Sequence, residues 1–143
     1  MILIAHRGNF EGANFARENH PDYIDEALQI GYDAEIDLRV INNTLLLGHD
    51  NPDHIISEQW LDARKDNLWI HCKNYEALAY CSTKDYNYFW HENDAYTLTS
   101  WGYGWVYPGN PTYSNSVMVM VETVPENLNC YGLCLDDFKK VIK

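Results

Sequence analysis

Residues 2–41 read as strand, helix, strand, and no other feature of the chain constrains its fold as much. ILIA (2–5) is a short apolar run suited to a buried strand. NFEGANFARENH (9–20) is polar, is interrupted by Gly12, and reads as a loop. Pro21 then opens a helix, PDYIDEALQI. Tyr23 or Ile24, then Ala27 and Leu28, recur at helical spacing. Asp22, Asp25 and Glu26 suit its first turns, and Gly31 suits its C-cap. DAEIDLRVI (33–41) alternates as a strand. A strand, a helix and a second strand in succession predict an α/β architecture.

A turn at Asn42-Asn43 leads into a second strand through Leu47. SEQWLDARK reads as a short helix capped by Ser57, LWIHCK (68–73) as a strand, and NYEALAYC (74–81) as a helix of about two turns. Beyond it the character changes. YNYFWHE, AYTLTS, GWVYP, SVMVMVET and CYGLCLDD read as successive short strands, and DFKKVIK as a closing helix. The helices of the second half are expected to be cut down to loops.

Chemistry collects where apolar runs end: His6-Arg7, Glu35 with Asp37, His49-Asp50, and His71 with Lys73. Side chains two apart on a strand share a face. Glu35 and Asp37 therefore point one way, as do His71 and Lys73, while Ile36 and Cys72 point into apolar packing. Two carboxylates on one face repel unless a cation lies between them, and an oxygen-rich pair suits Mg²⁺ or Ca²⁺. A salt bridge to Arg7 or Arg39, or a solvated strand end, would account for the pair as well. His6 and His49 are two imidazoles able to exchange acid and base roles near neutral pH. Taken singly, each also reads as a structural or surface histidine. Arg7 and Lys73 are suited to phosphate oxygens. Together these residues resemble a metal-assisted phosphodiester site.

The balance of 10 Lys and Arg against 21 Asp and Glu gives a formal net charge of −11. It argues against nucleic-acid binding through a general phosphate-contacting surface, and against an anionic membrane leaflet. No run reaches the roughly 18 apolar residues of a membrane helix, so no membrane insertion is expected. The 143 residues suit one domain, 1–143. Cys72, Cys81, Cys130 and Cys134 form no CxxC pair. They read as reduced thiols of a cytoplasmic protein.

The string His6-Arg7-Gly8, Glu18-Asn19, Gly31-Tyr32-Asp33-Ala34-Glu35-Ile36-Asp37 and His49-Asp50 resembles the glycerophosphodiester phosphodiesterase family. The likeness covers roughly the first 50 residues and continues thinly through LWIHCK. It implies an α/β fold of the TIM type, a divalent metal on Glu35 and Asp37, and His6 and His49 as the acid–base pair. It also implies a small phosphodiester substrate, cleaved through a cyclic phosphate to glycerol 3-phosphate and an alcohol.

Two departures matter. Where the family motif resembles ExK, this chain has His71-Cys72-Lys73. His71 is then expected as the third metal residue. Its softer nitrogen weakens Mg²⁺ or Ca²⁺ and opens the site to Mn²⁺ or Zn²⁺. The chain is also short beside the roughly 250 residues of a full barrel. A reduced or incomplete TIM-type (β/α) barrel is expected, with short or missing helices in the second half. A homo-oligomer is one way to cover the surfaces so exposed.

Further candidates are Asp50, Glu92 and Glu122 as outer supports of the pocket, with Glu122 on the inward face of SVMVMVE, and Asp136 in LCLDD, a segment that resembles the family's last strand with its rim aspartates. Trp101, Trp105 and Tyr107 are candidates for substrate lining, although core packing of a strand pair reads as well. Two other activities fit the same residues: a phosphodiester lyase that stops at the cyclic product, and a non-catalytic phosphoester-binding protein.

Overall fold

The protein is described here by a computed structural model covering residues 1–120 and 123–139. Strand β1 (Ile2–His6) is followed by helix α1 (Pro21–Ile30) and by β2 (Asp33–Ile41), β3 (Thr44–Leu47) and β4 (His54–Ile56). Helix α2 (Glu58–Arg64) and a 3₁₀ turn (Lys65–Asn67) lead into β5 (Leu68–Cys72) and helix α3 (Tyr75–Cys81). Strands follow: β6 (Tyr88–Phe89), β7 (Tyr96–Leu98), β8 (Gly104–Val106), β9 (Ser116–Val119) and β10 (Gly132–Leu135). Among the described residues, no helix follows Cys81, as the strand-dense second half implied.

The sheet is mixed and curled. Strands β6, β5, β2, β1, β10, β9 and β8 pair side by side, all parallel. The β3–β4 hairpin adds antiparallel to the far half of β2, and β7 adds antiparallel to β8. Among the described residues no ladder joins β6 to β7 or β8. Single bonds cross that gap: Ser100 N–H donates to the Tyr88 carbonyl at 2.8 Å, and Thr97 Oγ1 donates to the Trp90 carbonyl at 2.9 Å. The result is an α/β fold built as an incomplete barrel.

Alternation along the strands separates two faces. The inner face carries Ile4, Trp69, Phe89, Trp105, Val117, Val119 and Cys134. On the outer face Ala34, Ile36 and Leu38 of β2 and Leu68, Ile70 and Cys72 of β5 pack against Ile24, Leu61, Ala77 and Cys81 of the three helices. Leu133 and Leu135 of β10 pack beside Ala27 and Phe138. Wide aromatics fill the N-terminal end of the barrel. Trp69 lies 5.0 Å from Tyr103, Tyr103 lies 4.4 Å from Tyr131, and the Trp69 indole donates to Asp33 at 3.0 Å. The four cysteines are all free.

Ser57 and Gly31 cap their helices as expected, and His20 and Asn74 supply two further N-caps that the sequence reading did not assign. His20 Nδ1 accepts from Asp22 N–H, Ser57 Oγ from Trp60 N–H, and Asn74 Oδ1 from Ala77 N–H. Gly31 closes α1 in the left-handed region, at φ 109°.

Several expectations are corrected. The YNYFWHE strand shrinks to two residues because Trp90 to Ala95 form turns and irregular backbone. The SVMVMVE strand stops at Val119, and Met120 adopts a left-handed φ of 51°. Glu122, expected on the inward face of this strand, lies outside the described residues. For the closing helix, residues 137–139 are not helical: Asp137 bridges to Glu11 and Phe138 is buried. The rest of that segment lies outside the described residues.

Asn74 also exchanges two hydrogen bonds with the backbone of Val40, tying α3 to β2. Asn74→Ala removes a cap and leaves that backbone pair unmatched. It should cost about 1–3 kcal/mol, read as a lower urea midpoint with an unchanged slope.

Candidate metal and acid–base site

Parallel strands bring their C-terminal ends to one side of a barrel, where the following loops can enclose a ligand. A cavity of about 390 Å³ lies there, lined by His6, Arg7, Glu35, His49, His71 and Lys73 on one side. His91, Glu92, Trp105, Tyr107, Pro108, Val119 and Met120 complete the lining. Register explains the gathering: His6 of β1 stands opposite Glu35 of β2, and Asp37 stands opposite His71 of β5.

Glu35 and Asp37 are both buried. One oxygen of each, Glu35 Oε2 and Asp37 Oδ1, has no hydrogen-bond partner. His71 completes a group whose ligand atoms all lie within 4.8 Å of one another. Its Nε2–H donates to the His91 carbonyl at 3.0 Å, and its ring stacks on Phe89 at 5.0 Å with the planes 12° apart. That bond turns Nδ1 inward, 3.2 Å from Asp37 Oδ1, where it donates to the carboxylate when it carries a proton and offers a lone pair to a cation when it does not. Two orphaned carboxylate oxygens and a nitrogen lone pair form a donor set that fits a divalent cation.

The remaining contacts hold the cluster in place. The Asn19 amide donates to Asp37 Oδ2 at 2.9 Å and accepts from Asp37 N–H at 2.9 Å. Arg7 reaches Glu18 at 3.2 Å, and its Nε lies 3.3 Å from Asp37 Oδ2. The Glu18-Asn19 pair thus clamps one cation and one carboxylate of the site. Neither residue carries an assigned role in the sequence reading, although the pair belongs to the resembling string.

His6 has a carboxylate behind it. Its Nδ1 lies 2.8 Å from Asp136 Oδ1, which also accepts from the Asn9 amide at 2.9 Å. This directs Nε2 into the cavity, 3.7 Å from Glu35 Oε2. Asp136 immediately follows β10, and nothing in LCLDD alone indicates that β10 lies beside β1. His49 sits in the loop after β3 with Nδ1 2.9 Å from Asp50.

Burial and the charge of Asp37 push the Glu35 carboxyl up to about 7, against the weaker pull of His6, His71 and Arg7. Burial opposes ionisation of Asp37 too, but His71, Arg7 and Asn19 together hold it well below the usual carboxylate range. Burial works to lower His6, yet the Asp136 bond and the charges of Glu35 and Asp136 raise it.

Nine of the residues expected from sequence border this one cavity: His6, Arg7, Glu35, His49, His71, Lys73, Glu92, Trp105 and Tyr107. Asp37 lies buried beneath them. Asp50 contacts His49 but is otherwise solvent-exposed, and it does not line the cavity. Trp101 is also placed elsewhere, half-exposed in the turn between β7 and β8. No helix among the described residues is long and apolar enough to cross a membrane. No protein-family model, curated protein or solved structure matches the chain.

Glu35 and His6 both bind protons more tightly folded than unfolded, where their values are near 4.5 and 6.5. Their contribution to stability is complete below those values and is lost as pH rises through the folded ones. The melting temperature of metal-free protein should therefore fall by about 5 °C between pH 5 and pH 8. A saturating divalent cation should flatten that slope. A melting temperature that climbs over this window in metal-free buffer would count against the buried Glu35.

Proposed function

We propose that this chain is a divergent relative of the glycerophosphodiester phosphodiesterases and a metal-dependent phosphodiesterase. Its substrate is a glycerophosphodiester, cleaved to glycerol 3-phosphate and an alcohol. The observation that carries this reading is the meeting of His6, His49, Arg7 and Lys73 with the Glu35–Asp37–His71 cluster at one cavity. A phosphodiester needs that combination: cationic groups for its oxygens, and proton carriers on both the attacking and leaving sides.

Glu35, Asp37 and His71 would hold a divalent cation, which when bound polarises the phosphate oxygens. The carboxylates suit Mg²⁺ or Ca²⁺, and the His71 nitrogen shifts preference toward Mn²⁺ or Zn²⁺. Arg7 and Lys73 bind the phosphate oxygens. His6, oriented through Nδ1 by Asp136, takes the proton of the 2-hydroxyl on Nε2. The freed oxygen bonds to phosphorus as the bond to the alcohol breaks, and His49 protonates the departing oxygen. In the second half His49 takes a proton from water, the new hydroxide opens the cyclic phosphate, and His6 returns its proton to the 2-oxygen. Trp105 and Tyr107 form the wall available to the alcohol.

Turnover of glycerophosphocholine and glycerophosphoethanolamine, measured with Mg²⁺, Ca²⁺, Mn²⁺ and Zn²⁺ in turn, tests the reading. His6→Ala and His49→Ala should each lower kcat by roughly 100-fold or more. Asp136→Asn should lower it by about 10-fold and shift the pH–rate limb that His6 sets. Retention of full rate by both alanine variants would falsify the acid–base assignment. Accumulation of cyclic phosphate without ring opening would mark a lyase instead. In calorimetry, His71→Glu should tighten Mg²⁺ or Ca²⁺ and weaken Zn²⁺.

A further inference from the structure

His49 differs from the other groups of the site in how it is held. His6, Glu35, Asp37 and His71 stand on or at the ends of ladder-paired strands. His49 sits in the loop 48–53 between β3 and β4, and its one side-chain hydrogen bond is to the highly exposed Asp50. Its ring position therefore depends on the backbone beneath it.

That backbone is fixed at three points. Gly48 N–H donates to the Asp37 carbonyl at 3.0 Å, and Asp53 N–H donates to the Leu47 carbonyl at 3.0 Å. The third point is Arg39. Its Nε donates to the Gly48 carbonyl at 3.1 Å and its Nη2 donates to the carbonyl of His49 itself. Arg39 is two residues beyond Asp37 on β2 and so lies on the same face as the carboxylates. It is half-buried and makes no ion pair with them. Arg39 does not line the cavity. Gly48 makes the fold-back possible, because a Cβ there would collide with the Asn51 carbonyl.

We infer that Arg39 is a positioning residue, a clamp that sets the His49 imidazole against the strand carrying the metal cluster. The inference rests on the reading of His49 as a proton carrier. The physical case is one of donor geometry. Two carbonyls that turn toward the same side in a tight loop repel each other and leave acceptors to satisfy. A guanidinium offers planar, diverging N–H groups that meet both from one rigid plane. An ammonium, being a point donor on a flexible stem, does not reproduce that spacing. A loop histidine displaced by about 1 Å loses alignment with its leaving oxygen without losing the pocket.

Arg39→Met and Arg39→Lys test this in two independent ways. Amide hydrogen exchange reads the clamp without reference to activity. In Arg39→Met, the Gly48 and Asp53 amides should exchange about 10-fold faster or more, with the β1 and β5 amides unchanged. Steady-state turnover of glycerophosphocholine with Mn²⁺ reads the consequence. Arg39→Met should lower kcat about 30-fold, with KM and Mn²⁺ affinity within about twofold of the parent. Arg39→Lys should recover only part of that loss. Unchanged exchange at Gly48 and Asp53 overturns the clamp. So does unchanged kcat, or a loss of kcat accompanied by faster exchange throughout β1 and β5. If the parent protein turns over neither glycerophosphodiester, the functional reading fails on its own account. Exchange at Gly48 and Asp53 then still decides whether Arg39 holds the loop.

Discussion

The electrostatic conflict between Glu35 and Asp37 organises this protein. Two carboxylates two residues apart on a buried strand cannot both ionise cheaply in a low-dielectric interior. Their surroundings answer the conflict unequally. Asp37 has His71, Arg7 and Asn19 against it and stays ionised, whereas Glu35 is left with an orphaned oxygen and a carboxyl near 7. Apolar residues at both positions would pack more simply. A strand that keeps the conflict at the mouth of a cavity is suited to a cation, and β1, β5 and β10 supply the groups around it.

The barrel that carries this site is smaller than its architecture usually requires. Strand β2 does unusual service within it, pairing with β1, β5 and β3 along its nine residues. On one flank three short helices cover the sheet. On the other, Phe138 and the segment around Leu128 pack where helices would otherwise lie. Inside, the large side chains of Trp69, Tyr103 and Tyr131 occupy the N-terminal end, and Phe89 and Trp105 pack above them, beneath the cavity. Wide aromatic side chains thus bridge a sheet that its backbone leaves open between β6 and β8, and they leave the C-terminal end free for a cavity.

Much of this was legible in the sequence, for local reasons. PDYIDEALQIG and DAEIDLRVI state their periodicity and their caps within a dozen residues, and strand parity alone separated Glu35 and Asp37 from Ile36. The less legible parts depended on partners distant along the chain. Asp136 acts on His6 only because β10 lies beside β1, and Asn19 reaches Asp37 across 18 positions. His91 contributes its backbone carbonyl, a group that every residue carries and that no motif marks. Trp101 lies in the turn between β7 and β8, and composition ranks aromatic residues without saying which side of a turn they occupy. The alternation in SVMVMVE was real but ended at Met120, where the backbone changes hand.

The pairing of β1 with β10 has a temporal meaning as well. The contact between His6 and Asp136 spans 130 positions. During synthesis the imidazole emerges long before its carboxylate. Closing so long a loop is entropically slow. A chain that ends before Asp136 keeps the residues of the Glu35–Asp37–His71 cluster and lacks the partner of His6 Nδ1. In this fold, the Glu35–Asp37–His71 cluster is drawn from neighbouring strands of the first half, whereas the orientation of His6 is supplied from the far end of the sheet.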